Sequence, residues 1–125
     1  MIEPIFVVSN NPMSKEKLTS KYEVEFIEGN VMEVFKKIRN YVHLGHRILT
    51  HPLMSSVKPN ETPYRTVILS KNRDTKTDVD SLMLIENSIM TTEKFLRDFS
   101  TPNWSEEILL DFQLIDYDLI SHAID

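Results

Sequence analysis

The sequence predicts an α/β fold: a small, mostly parallel four-stranded sheet with helices on both faces, in one domain spanning residues 1–125. Three observations lead there. Short β-branched and aromatic runs alternate with segments whose apolar residues recur at helical spacing, the pattern of strands alternating with helices. Apolar residues make up 41% and charged residues 26% of the 125, enough to build a core and unlike a disordered chain. One long stretch, Thr50 to Tyr64, follows neither period and stands between two of the apolar runs.

Pro4 to Ser9 (PIFVVS) is a short apolar run stopped by Asn10, Asn11 and Pro12, which predicts a fully buried first strand. Met13 to Ser20 holds good helix formers for one or two turns, and Tyr22 to Ile27 (YEVEFI) alternates as a second strand. Asn30 caps the next helix, with Glu33 in its first turn. Val31, Val34, Phe35, Ile38 and Val42 form one face of it until Gly45 ends it.

His46 to Leu49 predicts a brief third strand and Arg65 to Ser70 (RTVILS) a fourth. Lys71 to Thr77 is a polar turn. From Val79 the residues Leu82, Ile85, Ile89 and Leu96 keep a helical beat to about Phe99, with Asp78 and Asp80 as capping acids. Pro102 interrupts the chain, and Ser105 caps a last helix with Glu106 and Glu107 in its first turn. Ile108, Phe112, Ile115 and Leu119 share one face of that helix.

Right-handed crossovers would put the first strand between the second and third, giving the order 2-1-3-4 of a Rossmann-like or flavodoxin-like sheet. The carboxyl ends of strands one and three would then flank a crevice, with Ser9, Asn10 and Asn11 at one lip and Thr50 and His51 at the other.

The net charge of −5, with no dense Lys/Arg stretch, disfavours nucleic acid as a partner. The absence of cysteine removes disulfides, thiolate metal sites and thiol nucleophiles. With only Gly29 and Gly45 present, neither a dinucleotide fingerprint nor a P-loop can be written, and no cofactor is expected. His43 and His46 straddle Gly45 without a nearby third ligand, so no metal site is expected. MIEPIFVV lacks the basic leader and cleavage site of a signal peptide. No apolar run approaches the roughly 20 residues that cross a bilayer. A cytoplasmic protein without membrane contact is expected.

The chemistry concentrates in the loop Thr50-His-Pro-Leu-Met-Ser-Ser-Val-Lys-Pro-Asn-Glu-Thr-Pro-Tyr64. Its prolines restrict the backbone and lower the entropic cost of holding polar groups in place. Lys58, Ser55, Ser56 and backbone N–H groups are candidates to hold a carboxylate or phosphate, with His51 or Glu61 as proton carrier. Thr50, Asn60 and Tyr64 are the loop's other candidate ligand-binding residues, and Asn10 and Asn11 complete the set across the crevice. The plain alternative is that Pro, Asn, Ser and Thr are here as turn formers only, and that Asn10-Asn11-Pro12 is a capped turn.

The segments Thr50-His51-Pro52-Leu53, Ser56 to Tyr64 (SVKPNETPY), Ser81 to Glu86 (SLMLIE) and Asp111 to Asp116 (DFQLID) resemble the GrdX family over essentially the whole chain, the loop being the most specific element. The resemblance implies an association with the glycine reductase system of amino-acid-fermenting anaerobes, in which glycine is reduced to acetyl phosphate and ammonia. A chain without cysteine cannot supply that redox centre. The reading is therefore an accessory or ligand-binding protein that takes an anionic small molecule, or a glycine reductase component, through the 50–64 loop. A small transferase or hydrolase acting on a phosphorylated or carboxylated metabolite is the alternative.

Overall fold

The computed structural model describes residues 3–55 and 57–124. In chain order the elements are β1 (Ile5–Ser9), α1 (Pro12–Leu18), β2 (Glu23–Phe26), α2 (Val31–His43), β3 (Thr66–Ser70), α3 (Val79–Asp98) and α4 (Glu106–Ile124). Every residue of β1 and β3 is buried, as a strand covered on both faces requires.

The sheet is three-stranded and mixed, in the order β2-β1-β3. β2 runs parallel to β1 with Val7 opposite Val24, and β3 runs antiparallel to β1 with Ser9 opposite Thr66 and Ile5 opposite Ser70. The expected four-stranded, mostly parallel Rossmann-like sheet is therefore wrong. Residues 46–49 make only one antiparallel bridge, Ile48 to Leu69, supported by Leu49 N–H to Ile68 O and Ser70 N–H to Arg47 O, both 2.9 Å. Residues 65–70 occupy the place beside β1 that was expected for residues 46–49.

Burial explains the exchange. The place beside β1 is covered on both faces, and TVILS can satisfy both, with Val67 and Leu69 on one side and Ile68 on the other. The segment beginning His46-Arg47 cannot, because a guanidinium there would lose its water. The 50–64 stretch contains no crossover helix, so it doubles the chain back, and β3 slots between β1 and the 46–49 segment.

Helices on both faces were expected and are present. Phe6, Val8, Val67 and Leu69 pack under α2 and α3, against Val34, Phe35, Ile38, Ile85 and Ile89. Ile5, Val7 and Ile68 face α1 and α4, against Leu18, Ile120 and Ile124. α2 starts and stops where its sequence says. Asn30 Oδ1 accepts from Glu33 N–H at 3.0 Å. At the other end His46 N–H reaches Tyr41 O and Gly45 N–H reaches Val42 O, with Gly45 at φ 105°, a Schellman ending.

The inner stripe of α4 differs from the one its apolar spacing predicts. Ile115 and Leu119 are 44% and 37% exposed, while Ile120 is fully buried and Ile124 nearly so. Apolar residues occur nearly all round this helix, so spacing leaves its rotation open. The choice follows from polar partners, because the rotation adopted brings Asp116 onto Asn11 and Thr66.

Candidate functional site

The antiparallel entry of β3 changes what lies at the carboxyl end of β1. Ser9 pairs with Thr66, so the facing wall is the end of the loop, Pro63 to Arg65, rather than Thr50 and His51. Asn10 spans the junction. Its Nδ2 donates to Gly29 O at 3.0 Å and Pro63 O at 2.8 Å, and its Oδ1 accepts from Arg65 N–H at 2.9 Å. Asn11 caps α1 by accepting from Met13 N–H at 3.0 Å, while its Nδ2 donates to Gln113 O and Asp116 Oδ2, both at 2.9 Å. Both amides are thus committed to the protein's own groups. They fix the frame of the crevice.

The loop candidates divide into groups. Thr50 Oγ1 accepts from Ile68 N–H at 2.9 Å, a substitute for a ladder bond. Asn60 Nδ2 donates to Ser100 O at 3.2 Å and Trp104 Nε1 donates to Glu61 O at 2.8 Å, so the distal half of the loop is pinned to the segment before α4. Ser55 Oγ accepts from Val57 N–H at 3.1 Å, a local turn. Lys58 is exposed and lines neither of the cavities described next. Ser56 lies outside the described residues.

His51, Ser55 and Tyr64 do converge, on a residue that sequence reading passed over. Arg65 is only 4% exposed, and its Nε and Nη2 have no hydrogen-bond partner among the described residues. It borders two cavities of about 10 Å³ each, one walled by His51, Thr66 and Asp116, the other by Ser55, Tyr64 and Asp116, with Leu119 shared by both. Each has room for about one water molecule. His51 Nδ1 accepts from Leu53 N–H at 3.0 Å, which leaves Nε2 as the ring's free nitrogen.

Asp116 is the acid of the site. Its Oδ2 accepts from Thr66 Oγ1 at 2.6 Å and its Oδ1 from Thr66 N–H at 3.2 Å. Behind Thr66 Oγ1 lie Ser9 Oγ at 2.8 Å and Ser14 Oγ at 2.9 Å, a buried hydroxyl cluster at the mouth of the sheet. Burial pushes the Asp116 carboxyl above the usual carboxylate range, against the opposing pull of Thr66, Asn11 and the Arg65 charge. Burial also pushes the Arg65 guanidinium down, partly offset by the Asp116 charge. A guanidinium cannot shed its proton at any working pH, so Arg65 is a fixed cation with empty donor positions.

The one signal for Arg65 in the sequence is a cation set immediately before a fully apolar strand. Asp116 carries a comparable signal, as an acid inside the apolar run of α4. A separate cleft of about 430 Å³ runs over the carboxyl ends of β1 and β2, bordered by Asn10, Gly29, Asn30, Pro63, Tyr64 and Leu96. His46 is a core residue, its Nδ1 2.8 Å from Ser70 O and its ring edge-on to Phe6 and Tyr41. Among the described residues no group of three or more His, Asp or Glu could hold a metal ion, and no helix is long and apolar enough to cross a membrane.

By fold and site the chain is a three-layer α/β protein with a buried arginine at one end of a mixed sheet, its Nε and Nη2 without a partner among the described residues. It belongs to the family described as GrdX-like protein, whose family model matches residues 6–125, so the resemblance carried by the loop and helix segments is borne out. No curated protein and no solved structure matched the chain.

Proposed function

We propose that the protein is a non-redox accessory protein of glycine reductase metabolism that binds an anionic small molecule beneath its 50–64 loop. Membership of the GrdX-like family supports the metabolic setting. One observation carries the anion: Arg65 is buried with Nε and Nη2 unfilled and faces cavities walled by His51, Ser55 and Tyr64. Leaving charged donors empty in a buried site is costly, and a carboxylate or phosphate oxygen is the natural acceptor. Asn10, Asn11 and Thr50 hold the surrounding backbone, and Lys58 on the exposed part of the loop draws anions toward it.

A second reading is favoured by His51. An imidazole with a free Nε2 on the wall of an anion cavity is placed for proton transfer, as a small transferase or hydrolase acting on a carboxylated or phosphorylated metabolite requires. Thermal-shift screening with phosphate, acetate, glycine and acetyl phosphate, repeated on Arg65→Met, His51→Ala and Lys58→Ala, tests both. The expected result is stabilisation of the wild type that disappears in Arg65→Met, without turnover. Turnover lost in His51→Ala would establish the enzyme instead, and no stabilisation by any anion would end the binding proposal. Pull-down with purified glycine reductase components tests the partner, and a clean negative would remove it.

A further inference from the structure

The two Arg65 cavities share lining residues with an apolar groove. The groove, about 470 Å³, runs between the loop and α4, with Leu53, Met54, Val57, Ile115 and Leu119 as apolar walls and Asp118 at its side. It shares Ser55, Val57, Ile115 and Leu119 with one cavity, and Met54 and Leu119 with the other. The same side chains therefore border the groove and the charged cavities behind it. Its volume lies within the range of small-molecule sites, about 300–1,000 Å³. The partial exposure of Ile115 and Leu119, on a helix that buries Ile120 and Ile124, is what an apolar wall awaiting a ligand requires.

Resting on the anion-site reading above, we infer that the ligand is an aliphatic monocarboxylate, with its carboxylate against Arg65 and its hydrocarbon body along the groove. Guanidinium Nε–H and Nη2–H form a fork that matches the two oxygens of a carboxylate. The cavities offer space for about two water-sized atoms, enough for two carboxylate oxygens but not for the four oxygens of phosphate. A bare inorganic anion would leave the groove unused. A neutral apolar molecule would leave the guanidinium unfilled.

The test is isothermal titration of the full chain with acetate, butyrate, hexanoate, octanoate and 1-octanol, with the Arg65 Nε–H signal followed by NMR. Affinity is expected to rise roughly threefold to fourfold per methylene until the groove is filled. Every carboxylate should move the Arg65 signal, and octanol should not. Leu53→Ser, at a groove residue that lines neither Arg65 cavity, should flatten the dependence on chain length yet keep the acetate response. Acetate binding as tightly as octanoate would overturn the aliphatic class while leaving the anion site standing. Octanol matching octanoate, with the Arg65 signal unmoved, would overturn the link between groove and arginine. No response of Arg65 to any carboxylate would remove the anion site as well.

Discussion

Arg65, which is buried, and Asp116, which is partly buried, are opposite charges that border the same two small cavities without forming an ion pair. A structural pair would close that gap, because burial costs each ion several kcal/mol that only close contact offsets. Holding them apart is stable only through other bonds, and Asp116 has them in Thr66 and Asn11, while Arg65 Nε and Nη2 have none among the described residues. The imbalance falls on the cation.

Arg65→Met should therefore separate stability from binding. Methionine fills much the same volume and removes two unfilled buried donors, each costing about 1–3 kcal/mol. Asp116 then loses its nearest opposing charge and takes up a proton more readily, which limits the damage. Urea denaturation should show Arg65→Met equal to wild type or up to about 2 kcal/mol more stable, with anion-induced stabilisation gone. A loss above about 2 kcal/mol would make Arg65 a structural residue.

Asp116 gives the fold an acid-side signature. Its folded-state pKa lies above the ordinary 3.8, so between those values the folded chain binds more protons than the unfolded one. Its contribution is thus fully present below about pH 3.8 and is lost as pH rises through the raised value. The stability of wild type relative to Asp116→Asn should fall across that window and then level off. Denaturation curves for both proteins at a series of pH values measure it, and a relative gain with rising pH would reverse the sign assigned to burial.

Asn10 holds three separate pieces of chain through one amide: the β2 to α2 turn at Gly29, the loop at Pro63 and the backbone N–H of Arg65. Asn10→Ala removes three hydrogen bonds at about 1 kcal/mol each and strands a buried N–H, so a loss of about 3–4 kcal/mol is expected. Asn10→Asp keeps the acceptor but turns two donor contacts into oxygen–oxygen contacts, and should cost at least as much. The urea midpoint reads both. A loss below about 1 kcal/mol would show that the loop is held without Asn10.

These residues also mark how far the sequence could be read. The strand runs, the Asn30 and Ser105 caps and the Gly45 stop were legible because each depends on neighbours in the chain. The strand order was not. Whether residues 46–49 or 65–70 take the place beside β1 depends on which tolerates burial of both faces, and parallel or antiparallel entry depends on the path of an irregular loop. Lys58 drew attention as the loop's cation and lies exposed, whereas Arg65 looked like the edge of a strand and is the buried cation. His51 and Asp116, which share a cavity wall with it, come near only through the reversal of the loop and the rotation of α4, neither of which has a local signature.

Gly45 is the one residue with positive φ among the described residues, a position suited to glycine. Its φ of 105° lies where L side chains are strained, and a Cβ there would come 2.3 Å from Asp74 O. That carbonyl cannot swing away freely, since Asp74 N–H donates to Gly45 O at 2.9 Å and ties the two segments together. Gly45→Ala therefore combines the left-handed penalty, about 1–2 kcal/mol, with a clash that displaces residues 71–77. A total loss of about 3 kcal/mol is expected in urea denaturation. Arg47 should feel it too, because its guanidinium bridges Glu3 at 2.7 Å and Asp74 at 3.5 Å. Anion binding at Arg65, at the other end of β3, should persist in whatever fraction remains folded. Binding lost in folded Gly45→Ala protein would mean that the ends of the sheet are coupled more tightly than these contacts provide.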